Sequence, residues 1–172
     1  FQHQTVEALA AIVRRSDTAA RPQWNEAAGA GDVPMTPIFH WFVERCAAAR
    51  RFQQSMLLEV PEQLTEADLL LALQAVIDTH DVLRLRLHAR GVRIEPRGAV
   101  PARACLAVVS ELDDANVHAA EDRLDPRQGR VLQVVRCGSR LLVMIHHLAV
   151  DGVSWRILIP DFMTAMSAAA SG

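Results

Sequence analysis

The feature that most constrains this chain is its last hydrophobic block. Residues 131–137 and 140–146 are two apolar, β-prone runs joined by Gly138-Ser139. Such runs across a dipeptide suited to a tight turn predict a β-hairpin. The second run is apolar without alternation from Leu141 to Ile145, so it needs cover on both faces and belongs in the middle of a sheet. The remaining sequence offers that cover. Apolar residues fall at helical spacing over 34–50, where Pro34 and Pro37 suit a helix start. Thr65-Glu66-Ala67-Asp68 resembles a capping box ahead of an apolar helix reaching residue 79. An acidic helix is expected over 113–123 and a final helix over 154–169. Strands are expected at 54–60, 92–95 and 105–109, and at 83–88, where Leu83, Leu85 and Leu87 alternate with Arg84, Arg86 and His88. This mixture predicts an α/β domain of the two-layer α+β kind, a mixed sheet covered by helices.

The first part of the chain reads differently. In residues 1–15, Thr5 can cap a short helix whose apolar positions are Val6, Leu9, Ala10 and Val13. Residues 16–32 are rich in Ala, Gly and polar side chains with no sustained period, and read as a linker. The domain proper is expected over 33–172.

Composition narrows the chemistry. Eighteen basic against 20 acidic residues give a net charge of −2. That provides no overall attraction to nucleic acid or an anionic membrane, and no apolar run approaches the length of a membrane span. The expected setting is cytoplasmic, with no nucleic-acid or membrane partner. All 18 basic residues are arginine, and tyrosine is absent. Without a lysine amine this chain cannot form a Schiff base or a P-loop, and it has no phenolic acid or base. Cys46, Cys105 and Cys137 are odd in number and form no C-x-x-C pair. They read as reduced thiols, with no metal site and no directly bound cofactor.

The segment that can carry chemistry is His146-His147-Leu148-Ala149-Val150-Asp151-Gly152, where the buried strand becomes a loop ahead of a helix. Successive strand side chains point to opposite faces, so the two histidines cannot enter one cavity. If one does chemistry, the other packs. Three other readings compete: two satisfied core histidines, a zinc site on His147 and Asp151, and a serine nucleophile at Ser154. The zinc reading lacks a third ligand at a suggestive spacing. Ser154 lacks nucleophile-elbow surroundings.

The H-H-x-x-x-D-G pattern resembles the active-site motif of the condensation-domain superfamily of nonribosomal peptide synthetases. Val153-Ser154-Trp155-Arg156-Ile157-Leu158 is similar to the epimerization subfamily in particular. So is Val33-Pro34-Met35-Thr36-Pro37-Ile38 with Trp41-Phe42. Thr79-His80-Asp81-Val82-Leu83-Arg84 resembles the superfamily's second motif, and Leu124-Asp125 through Gly129 and Leu132 its D-x-x-x-G-x-x-L segment. Residues 1–15, through Phe1-Gln2-His3-Gln4-Thr5-Val6 and Leu9-Ala10, resemble the tail of a peptidyl carrier domain.

The resemblance implies the N-terminal lobe of a chloramphenicol acetyltransferase-like fold, facing a second lobe across a tunnel. A carrier domain delivers a phosphopantetheine-bound thioester into it. The implied reaction is removal and return of the α-proton of the bound aminoacyl or peptidyl residue. His147 is the implied catalytic acid–base, opposed by a glutamate of the second lobe. Without that lobe the chain alone is expected to be inactive. His146, Asp151, Gly152, Ser154 and Trp155 are implied as motif and structural support. Asp151 is expected to bond to nearby backbone amides or to an arginine, Arg84 or Arg86, Ser154 to cap the following helix, and Gly152 to allow close backbone approach. The alternatives are a condensation lobe that forms peptide bonds between carrier-bound substrates, and an incomplete remnant that only docks a carrier. Phe39 stands where a glutamine is usual. Pro160 falls inside the helix after the motif and is expected to kink it.

Overall fold

A computed structural model describes residues 5–13, 29–46, 51–89 and 91–171. Its centre is the expected hairpin, β6 (Leu132–Cys137) and β7 (Arg140–His146). Gly138 makes the turn between them at φ 59°, a left-handed conformation that glycine adopts without a Cβ penalty. β2 (Gln53–Glu59) adds antiparallel to β7, and β5 (Leu106–Val108) adds parallel to β6, giving the order β2-β7-β6-β5. The strand ending at His146 is therefore internal, as its continuous apolar run requires. A second, antiparallel sheet has the order β1-β4-β3, from β1 (Gly31–Val33), β3 (Leu85–His88) and β4 (Gly91–Ile94).

The two faces of the hairpin have different cover. Leu132, Val134, Leu141, Val143 and Ile145 share a core with Leu69, Leu73, Val76 and Ile77 of α3 (Glu66–Thr79). Trp155, Leu158, Phe162 and Met166 of α6 (Trp155–Ser171) close the same core. On the opposite face, Val135 and Met144 pack with Ala120 of α5 (Asp114–Glu121), with Leu142 and Leu124 beside them. Both capping expectations at α3 are met: the Asp68 amide donates to the Thr65 hydroxyl, and the Thr65 amide donates to the Asp68 carboxylate. The short helix α1 (Val6–Val13) begins at Thr5, whose hydroxyl accepts from the Ala8 amide.

Several expectations need correction. The helix expected over 34–50 starts at Pro37, as α2 (Pro37–Trp41), and continues as a π-helical turn, Phe42–Cys46. Gly31 and Asp32 belong to β1 and not to a linker, because they pair with Ile94 and Arg93. Residues 14–28, most of the expected linker, lie outside the described residues. The strand expected from Leu83 begins at Leu85, since Asp81–Arg84 forms a 3-10 turn. The strand expected from Cys105 begins at Leu106, because Ala102–Cys105 forms the short helix α4. Pro160 lies inside α6, as its place in the sequence implies, and the helix continues on both sides of it.

Candidate active site

β7 ends at His146 and His147 is the first residue of the turn after it, and the backbone fixes their divergence. The His146 amide donates to the Val131 carbonyl, and the His147 amide to the Phe52 carbonyl at the start of β2. His146 is only 4% exposed. Phe42 meets its ring edge-on, with centroids 5.2 Å apart, and Phe52 approaches at 5.8 Å. Its Nδ1 accepts from the Leu148 amide at 3.3 Å. Burial pushes its pKa from 6.5 down to about 4, and the neighbouring His147 charge adds to this against an opposing pull from Asp125. His146 is thus neutral at physiological pH and serves the packing.

His147 takes the other direction. It lines a cavity of about 440 Å³ together with Ile38, Phe52, Val82, Asp151 and Ser154. Phe52 stacks on its ring at 5.0 Å and 29°. Its Nδ1 lies 2.8 Å from the Val150 carbonyl oxygen, and its Nε2 lies 3.3 Å from the Gln54 side-chain nitrogen. The Gln54 side-chain oxygen Oε1 accepts from the Trp155 indole N–H at 2.8 Å. Trp155, read from the sequence as a subfamily mark, is buried at the start of α6.

Asp151 is exposed and organises the loop into α6. One carboxylate oxygen accepts from the Val153 amide at 3.0 Å, the Ser154 amide at 2.7 Å and the Ser154 hydroxyl at 2.6 Å. The Ser154 hydroxyl bond is the leading cause that holds its pKa below the usual carboxylate value. Of its two expected kinds of partner, Asp151 takes the backbone amides, and neither Arg84 nor Arg86 pairs with it. Arg84 is 1% exposed and spends its donors on the Ile77, Asp78 and Glu95 carbonyls and on Asp81. It closes the C-terminus of α3, where free carbonyls and the helix dipole favour a cation. Arg86 reaches the Arg127 carbonyl. The capping role also moves: Asp151 accepts the amides at the α6 entrance, while the Ser154 hydroxyl turns back to Asp151. Gly152 marks no close approach among the described residues, since a Cβ there would meet nothing within 4 Å. Phe39, in the position where a glutamine is usual, is a buried core residue.

The structure therefore gathers His147, Asp151 and Ser154 on one cavity, joins the buried Trp155 to His147 through Gln54, and packs His146 against Phe42 and Phe52. Sequence reasoning missed Phe52 and Gln54, which contact this group from β2 and the residue before it. The hydrophobic pattern of β2 was legible, but nothing in it marked which positions face the histidines. Cys105 is buried, and burial pushes its thiol up to about 11, so it supplies no nucleophile.

No family model matches the chain. One of the proteins that make up linear gramicidin synthase in Brevibacillus parabrevis is 36% identical over 195 residues, an alignment that covers 100% of this chain and 4% of that protein. The epimerization domain from the third module of tyrocidine synthetase B superposes with a TM-score of 0.65 at 25% identity. That match covers 83% of this chain and 36% of the other. The condensation domain of the Monacolin K polyketide synthase superposes with a TM-score of 0.59 at 16% identity, over 80% of this chain and 34% of the other, and shows likeness of fold alone. The chain thus spans a small part of its curated relative and about a third of each solved domain. Its helix-covered sheets have the chloramphenicol acetyltransferase-like fold of these neighbours. With that fold, the histidine loop at the end of β7 and a peptide synthase as relative, the chain belongs to the condensation-domain superfamily of nonribosomal peptide synthetases, which includes the epimerization domains.

Proposed function

We propose that this chain is the N-terminal lobe of an epimerization domain, and that His147 moves the α-proton of a carrier-bound aminoacyl or peptidyl thioester. The observation that carries the reading is the placement of His147. It lines an open cavity, and its Nδ1 faces a carbonyl oxygen that can only accept. Nδ1 therefore holds the ring proton, and Nε2 keeps the lone pair that a general base needs.

In the proposed reaction, Nε2 takes the α-proton and the C–H electron pair moves into a planar enolate with its charge on the thioester oxygen. Return of a proton to the opposite face inverts the centre. Inversion needs a second acid–base group across the substrate, and the resemblance assigns that role to a glutamate of the second lobe. Donors to the enolate oxygen would supply the electrostatic part. Asp151 and Ser154 hold the loop and move no proton of the substrate.

A condensation lobe remains the second reading, because a condensation domain shares the fold. One assay separates the two. The complete domain is given a carrier loaded with an aminoacyl or peptidyl thioester in deuterated water, with and without a second loaded carrier. Epimerization predicts one deuterium at the α-carbon and a mixture of configurations on the single carrier. A longer peptide that appears only with the second carrier, with no α-deuterium, overturns the proposal in favour of condensation.

A further inference from the structure

We propose that Gln54 is a positioning residue, which together with the Val150 carbonyl fixes the orientation and tautomer of the His147 ring. The Trp155 indole N–H only donates, so the Gln54 atom 2.8 Å from it is the amide oxygen. That settles the amide's orientation and turns its NH2 group toward His147 Nε2, 3.3 Å away. At the other side of the ring the Val150 carbonyl only accepts, so Nδ1, 2.8 Å from it, is the protonated nitrogen. The two contacts agree on one neutral tautomer, with the lone pair on Nε2. A flipped ring would lose both.

The relay joins three elements. Gln54 stands on β2 opposite Ile145 of β7, and Trp155 opens α6. Its amide oxygen is committed to Trp155, so Gln54 has no acceptor to offer a protonated Nε2. The 3.3 Å contact is long for a hydrogen bond, and an incoming substrate can displace it. Gln54 therefore presents the proton-accepting nitrogen without occupying it permanently. The hydrogen-bond relay stands on the geometry alone, whereas its meaning for proton transfer rests on the function proposed above.

The test reads the ring directly. In the ¹⁵N-labelled chain in alkaline buffer, His147 Nδ1 is expected at the chemical shift of a protonated ring nitrogen and Nε2 at that of an unprotonated one. Gln54→Glu keeps an acceptor for Trp155 and places a carboxylate oxygen against Nε2. The Nε2 signal is then expected to move toward the protonated position. Gln54→Met keeps the side-chain length but leaves the indole N–H unpaired, so that proton should exchange with solvent about tenfold faster. An unmoved Nε2 signal in Gln54→Glu, or unchanged indole exchange in Gln54→Met, overturns the inference. In the loaded-carrier assay, Gln54→Glu should lower α-proton exchange about a hundredfold, the cost of a misplaced reacting group. If both spectroscopic effects appear but exchange is unchanged, the relay stands and its catalytic role is overturned.

Discussion

At the end of β7, two consecutive imidazoles meet unlike surroundings. His146 is enclosed by the rings of Phe42 and Phe52 and accepts a bond from a backbone amide. His147 lines an open cavity and is held at both nitrogens, by a carbonyl on one side and an amide NH2 on the other. His147 is the first residue past β7, and its amide bond to the Phe52 carbonyl carries the alternation of the strand one residue further, which sends the two rings apart. What each one then does is set by what covers its face: aromatic rings remove the first from titration near neutral pH, and a polar relay orients the second. Phe52 serves both, stacked on one ring and tilted against the other.

The largest expected effect on stability comes from emptying the enclosed side. His146→Ala removes a buried ring from an aromatic pocket and leaves the Leu148 amide without its acceptor. The expected loss is about 2–4 kcal/mol, measured by denaturant unfolding. A loss near zero would mean that His146 is not enclosed.

Acid should act on the same residue. Its pKa is depressed in the fold, from 6.5 to about 4. Between those values the unfolded chain binds a proton that the folded chain does not, so stability is fully present above about pH 6.5 and declines as the pH falls to about 4. The order of magnitude is about 3 kcal/mol. His146→Phe should flatten that part of the pH–stability profile. A profile in the variant as steep as in the parent chain would assign the acid loss to other groups.

Asp151→Ala gives the smallest effect, on the exposed side. It removes the carboxylate that collects the Val153 and Ser154 amides, so the start of α6 should fray and the melting temperature should drop by a few degrees. Asp151→Asn keeps an acceptor oxygen and should recover part of the drop. No change in either variant would leave Asp151 without its capping role.

The parts of this molecule legible in the sequence are those decided by local chemistry. The apolar runs and Gly138 specify the hairpin, and Thr65 with Asp68 specifies the start of α3. The opposed directions of His146 and His147 follow from strand period. Arg84 shows where period misleads. It alternates with leucines as an outward strand residue would, yet it sits in a 3-10 turn and is buried because α3 ends with carbonyls that need donors. That Arg84 does not pair with Asp151 has the same cause, since Arg84 is already committed and Asp151 finds its donors within three residues. Gln54 and Phe52 were invisible for another reason. Gln54 lies 93 positions from His147 and 101 from Trp155, so only the assembled sheet and helix bring them together.

His147, and not the equally conspicuous His146, is the residue proposed to move the substrate proton. This is tested by comparing His147→Ala with the parent sequence in the complete domain, using a carrier-bound thioester in deuterated water and intact-protein mass spectrometry. The expected result is a folded variant with α-deuterium uptake slowed by about two to four orders of magnitude. Uptake at the parental rate in a folded His147→Ala variant would contradict it.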